Sequence, residues 1–393
     1  MIVWIFVVAV AALIASHSLT RAIKRAARAL RLIDVPNERS SHAVPTPTGG
    51  GLAIVVSTTL AMGLLTAVGI IPTRLFLALG PGGAAVAAVG FIDDQRSLSA
   101  RIRLLVHFSA AAWAVVCIGP VNLFRIAGET PGLEWLSYAV CTVGIVWFLN
   151  MFNFMDGIDA IAASEAAFLS AGALLLALYS AGASYIAASA AVVGASSVGF
   201  LVWNWPPAKT FMGDVGSGYL GFVFAVLGLA SGVHGGATLC SCLILAGVFV
   251  VDSTFTLVRR FVRGEQILQA HRTHAFQLLA QRMGHRNATL SVALVNLAWL
   301  LPCALASVLW PRDAIWITLA AFSPIILGAF AIGAGRPDTL PATHEPSAVV
   351  LQFSPPAPYK RRTSSIVAQE YHALTNRQYS PPDIADRSAS DVG

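Results

Sequence analysis

The amino-acid sequence predicts an all-α, polytopic membrane protein with about 11 transmembrane helices. Of the 393 residues, 56% are hydrophobic and only 11% are charged, whereas soluble domains carry about 25% charged residues. A membrane-spanning helix needs about 20 mostly apolar residues. Stretches near this length occur at 2–20, 49–71, 75–92, 104–119, 134–152, 160–179, 184–203, 215–231, 237–258, 289–310 and 314–333.

The basic residues predict the orientation of these spans. Positive charges follow the first apolar stretch rather than precede it, so we do not expect a cleaved signal peptide. Positive charge favours the cytoplasmic side, which predicts an outside N-terminus and a cytoplasmic C-terminus. The inner loops at 21–48, 93–103, 153–159, 204–214 and 259–288 then hold 16 Lys and Arg residues, and the outer loops hold 3.

Composition divides the chain into two parts. Residues 1–333 contain all predicted spans, whereas residues 334–393 are rich in Pro, Ser, Thr and Ala and show no helical period. We predict a transmembrane domain followed by a disordered cytoplasmic tail. All five cysteines fall within predicted spans, which favours buried small side chains over a disulfide framework or a zinc site. The arginines of the inner loops are expected to lie next to anionic lipid headgroups, and nothing in the sequence indicates nucleic-acid binding.

The first inner loop is dense in polar residues for such an apolar chain. Its prolines exclude a helix, and three consecutive glycines at 49–51 permit unusual backbone conformations. An ordinary connector is one interpretation. The other is a substrate-facing loop, whose polar residues are Asn37, Glu38, Arg39, Ser40, Ser41 and His42.

The second inner loop begins with two adjacent carboxylates, Asp93 and Asp94, at the end of the third span. Neighbouring carboxylates repel each other unless they share a cation. They could belong to a solvated helix end, or they could supply a Mg²⁺ ligand and a base. In the second case the arginines that follow, Arg96, Arg101 and Arg103, would hold phosphate.

The third and fourth inner loops add three more aspartates. Asp156 and Asp159 are three residues apart, so they would share one face of the first turn if the sixth span starts there, with Asn153 extending the ridge. Asp214 lies between two glycines at the start of the eighth span, and Lys209 precedes it. Helix capping explains such residues equally well.

The fifth inner loop contains a His-x-x-His sequence, with His271 and His274 on either side of Arg272. Solvated histidines are one interpretation. Zinc needs three or four ligands, so hydrogen bonding to a phosphate or leaving group is the better functional hypothesis. Asp252, near the end of the ninth span, could pair with Arg259 or Arg260, or it could join the site.

All these acidic clusters and the histidine pair fall on the side that the basic residues define independently. Carboxylates at a membrane boundary are costly and mark functional sites. Together they predict a divalent-metal site for a phosphorylated substrate.

The same motifs, in this order, resemble a known family. They are D-x-P-N-E-R-S-S-H, P-T-P and G-G-G in the first loop, the Asp pair, N-x-x-D-G-x-D, F-M-G-D-x-G-S and the late His loop. This set resembles the polyprenyl-phosphate N-acetylhexosamine-1-phosphate transferases of glycosyltransferase family 4, a superfamily that includes the phospho-N-acetylmuramoyl-pentapeptide transferases. The resemblance extends from residue 1 to about 333 and agrees with the predicted spans and cytoplasmic site.

The resemblance implies a reaction in a bacterial inner membrane. A polyprenyl phosphate such as undecaprenyl phosphate attacks the β-phosphorus of a UDP-N-acetylhexosamine, and UMP leaves. The reaction requires Mg²⁺, with Mn²⁺ as a substitute, and assembly as a homodimer is a further expectation. Phosphoryl transfer of this kind depends on charge neutralisation and in-line positioning.

The resemblance also implies residue roles. Asp214 would be the principal Mg²⁺ ligand, and Asn204 matches a family active-site Asn. Asp93 would deprotonate the lipid phosphate, with Asp94 beside it. Asp156 and Asp159 would organise metal and nucleotide. The sugar nucleotide would contact His271, Arg272 and His274.

The sequence departs from the family motifs at two places. The His loop is H-R-T-H, where the peptidoglycan branch has three consecutive His, which favours the branch that initiates O-antigen or capsular polysaccharide. Thr48 stands where the family pattern has an Arg before the glycine triplet. A peptidoglycan-type transferase is the alternative within the family. Outside it, the alternatives are a secondary transporter, which would place its site at the bilayer midplane, and a scaffold subunit with an inactive site.

Overall fold

The computed structural model describes residues 1–36, 42, 44–121, 134–179, 184–233, 239–265 and 271–337. Helices form nearly all of this part of the chain, which agrees with the predicted all-α membrane fold. The helices are α1 (Ile2–Ala26), α2 (Leu52–Ala67), α3 (Thr73–Gln95), α4 (Ala100–Ile118), α5 (Glu134–Met155), α6 (Ile161–Ala177), α7 (Ser184–Asn204), α8 (Asp214–Val233), α9 (Leu239–Leu245), α10 (Gly247–Val262), α11 (Ala275–Val295), α12 (Leu301–Leu309) and α13 (Ala314–Ile332). A π-helical turn (Asn296–Leu300) joins α11 to α12, and a 3₁₀ turn (Pro311–Asp313) precedes α13.

Each predicted span coincides with a helix or with consecutive helices. Eight helical segments of the described chain are long and apolar enough to cross a membrane, and α9 with α10 adds a ninth if this pair, bent by 80°, is one span. Helices α2 and α6 stand at the two remaining positions but have only 16 and 17 residues. The chain is therefore a multi-pass membrane protein. A count of eleven and the outside N-terminus remain predictions.

Helix α8 is the centre of the bundle. In its most apolar window 83% of the residues are buried, against 17% for α1 and for α13, which therefore lie at the periphery. Its main neighbours are α3 and α5, while α1 and α6 pack on α7. Because α3 and α5 end, and α8 begins, at the same side of the bundle, the polar residues at these helix ends meet there.

The first inner loop is anchored to the bundle by a short antiparallel ribbon, β1 (Ile33–Asp34) and β2 (Thr46–Pro47). Thr48 N–H also bonds Leu32 O at 3.0 Å. The glycines that follow lie against the fourth loop, where Gly50 and Gly51 donate to the Phe211 and Met212 carbonyls at 3.0 and 2.9 Å. A Cβ on Gly51 would lie 2.4 Å from the Gly216 Cα, so only glycine permits this approach.

The condition for a shared helical face of Asp156 and Asp159 is not met. Helix α6 begins only at Ile161, after Ala160 in a left-handed conformation (φ 66°), so both aspartates precede its first turn. The His-x-x-His sequence also precedes a helix, since α11 begins after His274. The rings of His271 and His274 stack, with centroids 4.8 Å apart.

The boundary between domain and tail at 333/334 stays a prediction. Residues 334–336 still make hydrogen bonds to the helical domain. The rest of the predicted tail, from 338 onwards, lies outside the described residues.

Candidate active site

One cavity of about 790 Å³ brings residues of all five predicted inner loops together, the second of them through Asp94 at the end of α3. Five aspartates line it: Asp34, Asp94, Asp156, Asp159 and Asp214. Arg272 is the one Lys or Arg among the described residues of its wall, where His42 and His285 also lie. The cavity is therefore strongly acidic.

Asp94 is fixed at the N-terminus of α8. Its carboxylate accepts the Asp214 and Val215 N–H groups at 2.8 and 3.2 Å. These amides have no partner within their own helix, and the helix dipole favours an anion at this position. Gly213 precedes them with φ 75°, and a Cβ there would lie 2.5 Å from the Asp94 Oδ2. The glycine before Asp214 thus admits the carboxylate.

Asp214 lies at the centre of a polar network. Asn153, in the last turn of α5, donates through Nδ2 to Asp214 Oδ1 and to Ser217 Oγ, both at 2.9 Å. Arg103 Nη1 lies 3.4 Å from Asp214 Oδ2 and donates to Asp93 Oδ2 at 2.8 Å. The Asp93 carboxylate also accepts the Leu98 N–H and does not line the cavity. The predicted Asp pair thus divides, with Asp94 in the cavity wall and Asp93 behind it.

Asp156 and Asp159 occupy the segment between α5 and α6. Burial, together with the negative charges of Asp214 and Asp159, raises the pKa of Asp156 to about 8. Asp159 is held at both oxygens, since Oδ2 accepts the Ala208 N–H at 3.0 Å and Oδ1 lies 3.2 Å from His285 Nδ1. These carboxylates are close enough to repel each other, which favours binding of a cation between them.

The donor set fits a hard divalent cation. No group of three or more His, Cys, Asp or Glu in the described chain forms a preformed metal cage. Mg²⁺ commonly binds through one or two carboxylates, water and substrate phosphates rather than through such a cage. Asp214 and Asp94 use their oxygens in hydrogen bonds, but each oxygen has a second lone pair.

Several predicted substrate-binding residues lie away from the cavity wall. Asn204 lines the cavity and also makes two structural bonds, accepting the Ala160 N–H at 2.9 Å and donating to Thr210 O at 3.0 Å. Arg96 and Lys209 are exposed, and neither lines the cavity. Asn37, Arg39 and Ser41 lie outside the described residues.

The fifth loop contributes Arg272 directly to the cavity wall, while His271 and His274 do not line the cavity. His274 is 3% exposed, with Nδ1 3.5 Å from Asp252 Oδ1. Burial and the neighbouring His274 and Arg260 lower the pKa of His271 to about 3, so this imidazole is neutral at physiological pH. Neither histidine is placed to give positive charge to a phosphate in the cavity.

Arg103, which the sequence groups with Arg96 and Arg101 as a possible phosphate contact, pairs with the Asp cluster. The sequence interpretation missed other residues of the site. Gln277 and Gln281 of α11 line the cavity, as does His285, which follows a break in that helix at Gly284 (φ 80°, ψ 161°). Their spacing of four residues was visible, but the start of α11 was not.

A second cavity, of about 220 Å³, lies beside the second half of α8. Its wall is apolar and contains no carboxylate or basic side chain among the described residues.

Comparison with known proteins identifies the family. The model of "Glycosyl transferase family 4" matches residues 76–232. A probable undecaprenyl-phosphate N-acetylglucosaminyl 1-phosphate transferase of Bacillus subtilis is 31% identical over 310 residues, covering 77% of this chain and 83% of the relative. A decaprenyl-phosphate N-acetylglucosaminephosphotransferase of Mycobacterium tuberculosis is 27% identical over 353 residues, covering 80% of this chain and 85% of the relative. A phospho-N-acetylmuramoyl-pentapeptide-transferase of Frankia alni is 29% identical over 262 residues, covering 56% of this chain and 72% of the relative. The acidic cavity and these similarities together show that the chain belongs to glycosyl transferase family 4.

Proposed function

We propose that this protein transfers an N-acetylhexosamine-1-phosphate from a UDP-linked donor to a polyprenyl phosphate. A lipid phosphate oxygen forms a bond to the β-phosphorus of the donor, and the bond from that phosphorus to the bridging oxygen breaks. UMP leaves with the bridging oxygen, and a polyprenyl-diphosphate sugar forms. The names of the similar Bacillus and Mycobacterium proteins support this reaction class.

The observation that carries the proposal is the charge of the cavity. Five aspartates and one arginine line it, yet both proposed substrates are anionic phosphates. A cation at the site would offset the repulsion between these carboxylates and such substrates, because repulsion in a partly buried site is weakly screened. A bound Mg²⁺, or Mn²⁺, would supply this charge and act as a Lewis acid on the phosphoryl oxygens.

The residues divide into three roles in this proposal. Asp214 and Asp94 hold the cation, and Asn153 orients Asp214 through its 2.9 Å hydrogen bond. Asp93 holds Arg103 from behind the wall, so we assign contact with the incoming substrates to Asp94 rather than to Asp93. Arg272 supplies the cationic side chain of the opposite loop, placed to bind the donor diphosphate.

We place the site on the cytoplasmic face of a bacterial inner membrane, where UDP-sugars are made, and infer that the product begins a cell-surface glycan. The sixteen-to-three distribution of basic residues supports this orientation. The H-R-T-H loop favours an O-antigen or capsule pathway over peptidoglycan synthesis.

The test is UMP release by purified protein in detergent, with undecaprenyl phosphate, Mg²⁺ and a panel of UDP-N-acetylhexosamines. We expect UMP with at least one donor, and its loss with a chelator and in Asp214→Asn. UDP-N-acetylmuramoyl-pentapeptide is included as an arm, because turnover with it alone would assign the protein to peptidoglycan synthesis. No UMP from folded protein with any donor would refute the proposal, and solute flux without UMP would indicate a transporter.

A further inference from the structure

The loop that carries Arg272 into the cavity is held from two sides by residues that do not line the cavity. Arg272 lies shortly before Ala275, the first residue of α11. Its position therefore depends on how the residues immediately after it, from Thr273 to Phe276, are fixed.

The first anchor is Asp252 of α10, whose side chain is 3% exposed. Its Oδ1 accepts the Ala275 N–H at 2.8 Å and its Oδ2 accepts the Phe276 N–H at 3.0 Å. Thr256, one turn further along α10, donates to the same carboxylate at 3.1 Å. A buried carboxylate is costly unless it is satisfied in this way. Asp252 thus caps α11 from a neighbouring helix.

The second anchor is the chain that leaves α13. Gly335 N–H donates to Thr273 O at 2.7 Å, directly after Arg272. Ala334 is fully buried and packs with Ala275 and Ala329. Gly333 and Gly335 have φ of 97° and 67°, the conformation in which glycine turns a chain back after a helix. This turn places residues 333–335 over the loop.

Three arginines lock this turn to the two helices that flank the loop. Arg259 and Arg263 of α10 donate to Ala334 O, at 2.8 Å, and to Gly335 O. Arg282 of α11 donates to Ile332 O at 3.1 Å. The last carbonyls of α13 lack intrahelical partners, and cations are favoured at a helix C-terminus.

We propose that Asp252 and residues 333–335 form a loop clamp that positions Arg272 for the donor diphosphate. The clamp touches no substrate and acts through Arg272 alone. The kinetic effect expected of the clamp rests on the proposed function, whereas its effect on the structure of the loop does not. Residues 333–335 therefore belong to the active domain rather than to the tail.

The first experiment compares two truncations, chains ending at 337 and at 332, with the full protein. The longer truncation keeps every clamp contact and should match the full protein. The shorter one should raise the KM for the UDP-sugar by about ten- to hundredfold, the range for losing a charge-assisted contact. The KM for the lipid phosphate should stay within about twofold, because Arg272 is assigned to the donor.

Point variants test the same contacts in the full-length chain, in case the shorter chain does not fold. Gly335→Ala forces an unfavourable φ and places a Cβ 3.1 Å from the Thr256 carbonyl. Gly69→Ala is its matched control, with φ 75° and no atom within 4 Å of the added Cβ. Asp252→Asn tests the first anchor. The donor KM should rise in Gly335→Ala and Asp252→Asn, but not in Gly69→Ala.

A double-mutant cycle separates positioning from general stability. In an Arg272→Gln background, Gly335→Ala and Asp252→Asn should cause no further rise in donor KM, because the residue through which they act is gone. Additive effects in that background would overturn the proposal, as would equal kinetics of the two truncations.

Hydrogen exchange of the segment 273–278 provides a readout that does not need turnover. The Ala275 and Phe276 amides should exchange faster in Asp252→Asn and in the chain ending at 332, but not in the chain ending at 337. Unchanged exchange would refute the clamp even if the enzyme is active. If wild type releases no UMP, the proposed function fails, and exchange alone still decides whether the loop is held in this way.

Discussion

Replacing Arg103 by Gln should impair catalysis while strengthening the binding of Mg²⁺. Arg103 Nη1 donates to Asp93 Oδ2 at 2.8 Å and lies 3.4 Å from Asp214 Oδ2. Its positive charge holds two carboxylates in place, but it would also compete with the proposed metal ion for Asp214. Removing it therefore has two opposite consequences.

The expected magnitude follows from the geometry and the exposure of the pair. A charge-assisted hydrogen bond contributes about 1.5–3 kcal/mol, and the longer contact to Asp214 adds less. The Arg103 side chain is 36% exposed, so solvent screening reduces this value. We expect a loss of about 1–2 kcal/mol, or a five- to thirtyfold fall in kcat.

The assay is UMP release as a function of Mg²⁺ concentration. In Arg103→Gln the maximal rate should fall and half-saturation should occur at lower Mg²⁺. Arg103→Lys should be intermediate, because a lysine keeps the charge but not the planar fork. Arg101→Gln is the matched control, an exposed arginine of the same segment. An unchanged rate in Arg103→Gln, or equal losses in both Gln variants, would refute the role of Arg103.

Three further predictions concern stability, measured as the thermal midpoint in detergent. The pKa of Asp156, raised from 3.8 to about 8, means that the folded protein binds more protons than the unfolded chain between these values, so metal-free stability should fall as pH rises through this window. Adding Mg²⁺, or the substitution Asp156→Asn, should make the thermal midpoint less dependent on pH. A thermal midpoint of the metal-free wild type that does not change with pH would contradict this prediction. Gly51→Ala should cost at least about 3 kcal/mol through overpacking, whereas Gly144→Ala, with open space at its Cβ, should be neutral. Asn204→Ala should cost about 2–4 kcal/mol by leaving two buried backbone groups unpaired, and a smaller loss would argue that water replaces the side chain.

The membrane fold was predictable because its signal is compositional. Apolar stretches of about 20 residues require only a count, and each predicted span has its helix. The helix ends were less predictable. Helix α6 begins at Ile161, after the left-handed Ala160, although Asp156 and Asp159 carry the composition of a helix N-terminus. A composition typical of helix caps does not distinguish aspartates that begin a helix from aspartates that make other contacts.

The residues of the acidic cavity were predictable as a group but not one by one. One-sided placement of the aspartates indicated the site, because charge is costly at a membrane boundary. It could not show that Asp94 lines the cavity and Asp93 does not, since adjacent residues on a helix point about 100° apart and their register depends on packing. It also could not show that Arg272, rather than its two histidine neighbours, reaches the cavity. That depends on contacts with α10 and α13, which are far away in sequence.

The same physical device is used at two helix ends of the site. Asp94 accepts the first amides of α8, and Asp252 accepts the first amides of α11. In an apolar surrounding these amides must find partners within the protein, and a carboxylate also satisfies the helix dipole. An acidic residue near the membrane boundary can therefore serve a helix end, the chemistry, or both. Because we propose both roles for Asp94, loss of activity in Asp94→Asn would not by itself prove a catalytic role. A fall in thermal stability that accompanies the loss would assign part of it to the helix end, whereas Asp214, which accepts from side chains alone, should lose activity without that fall.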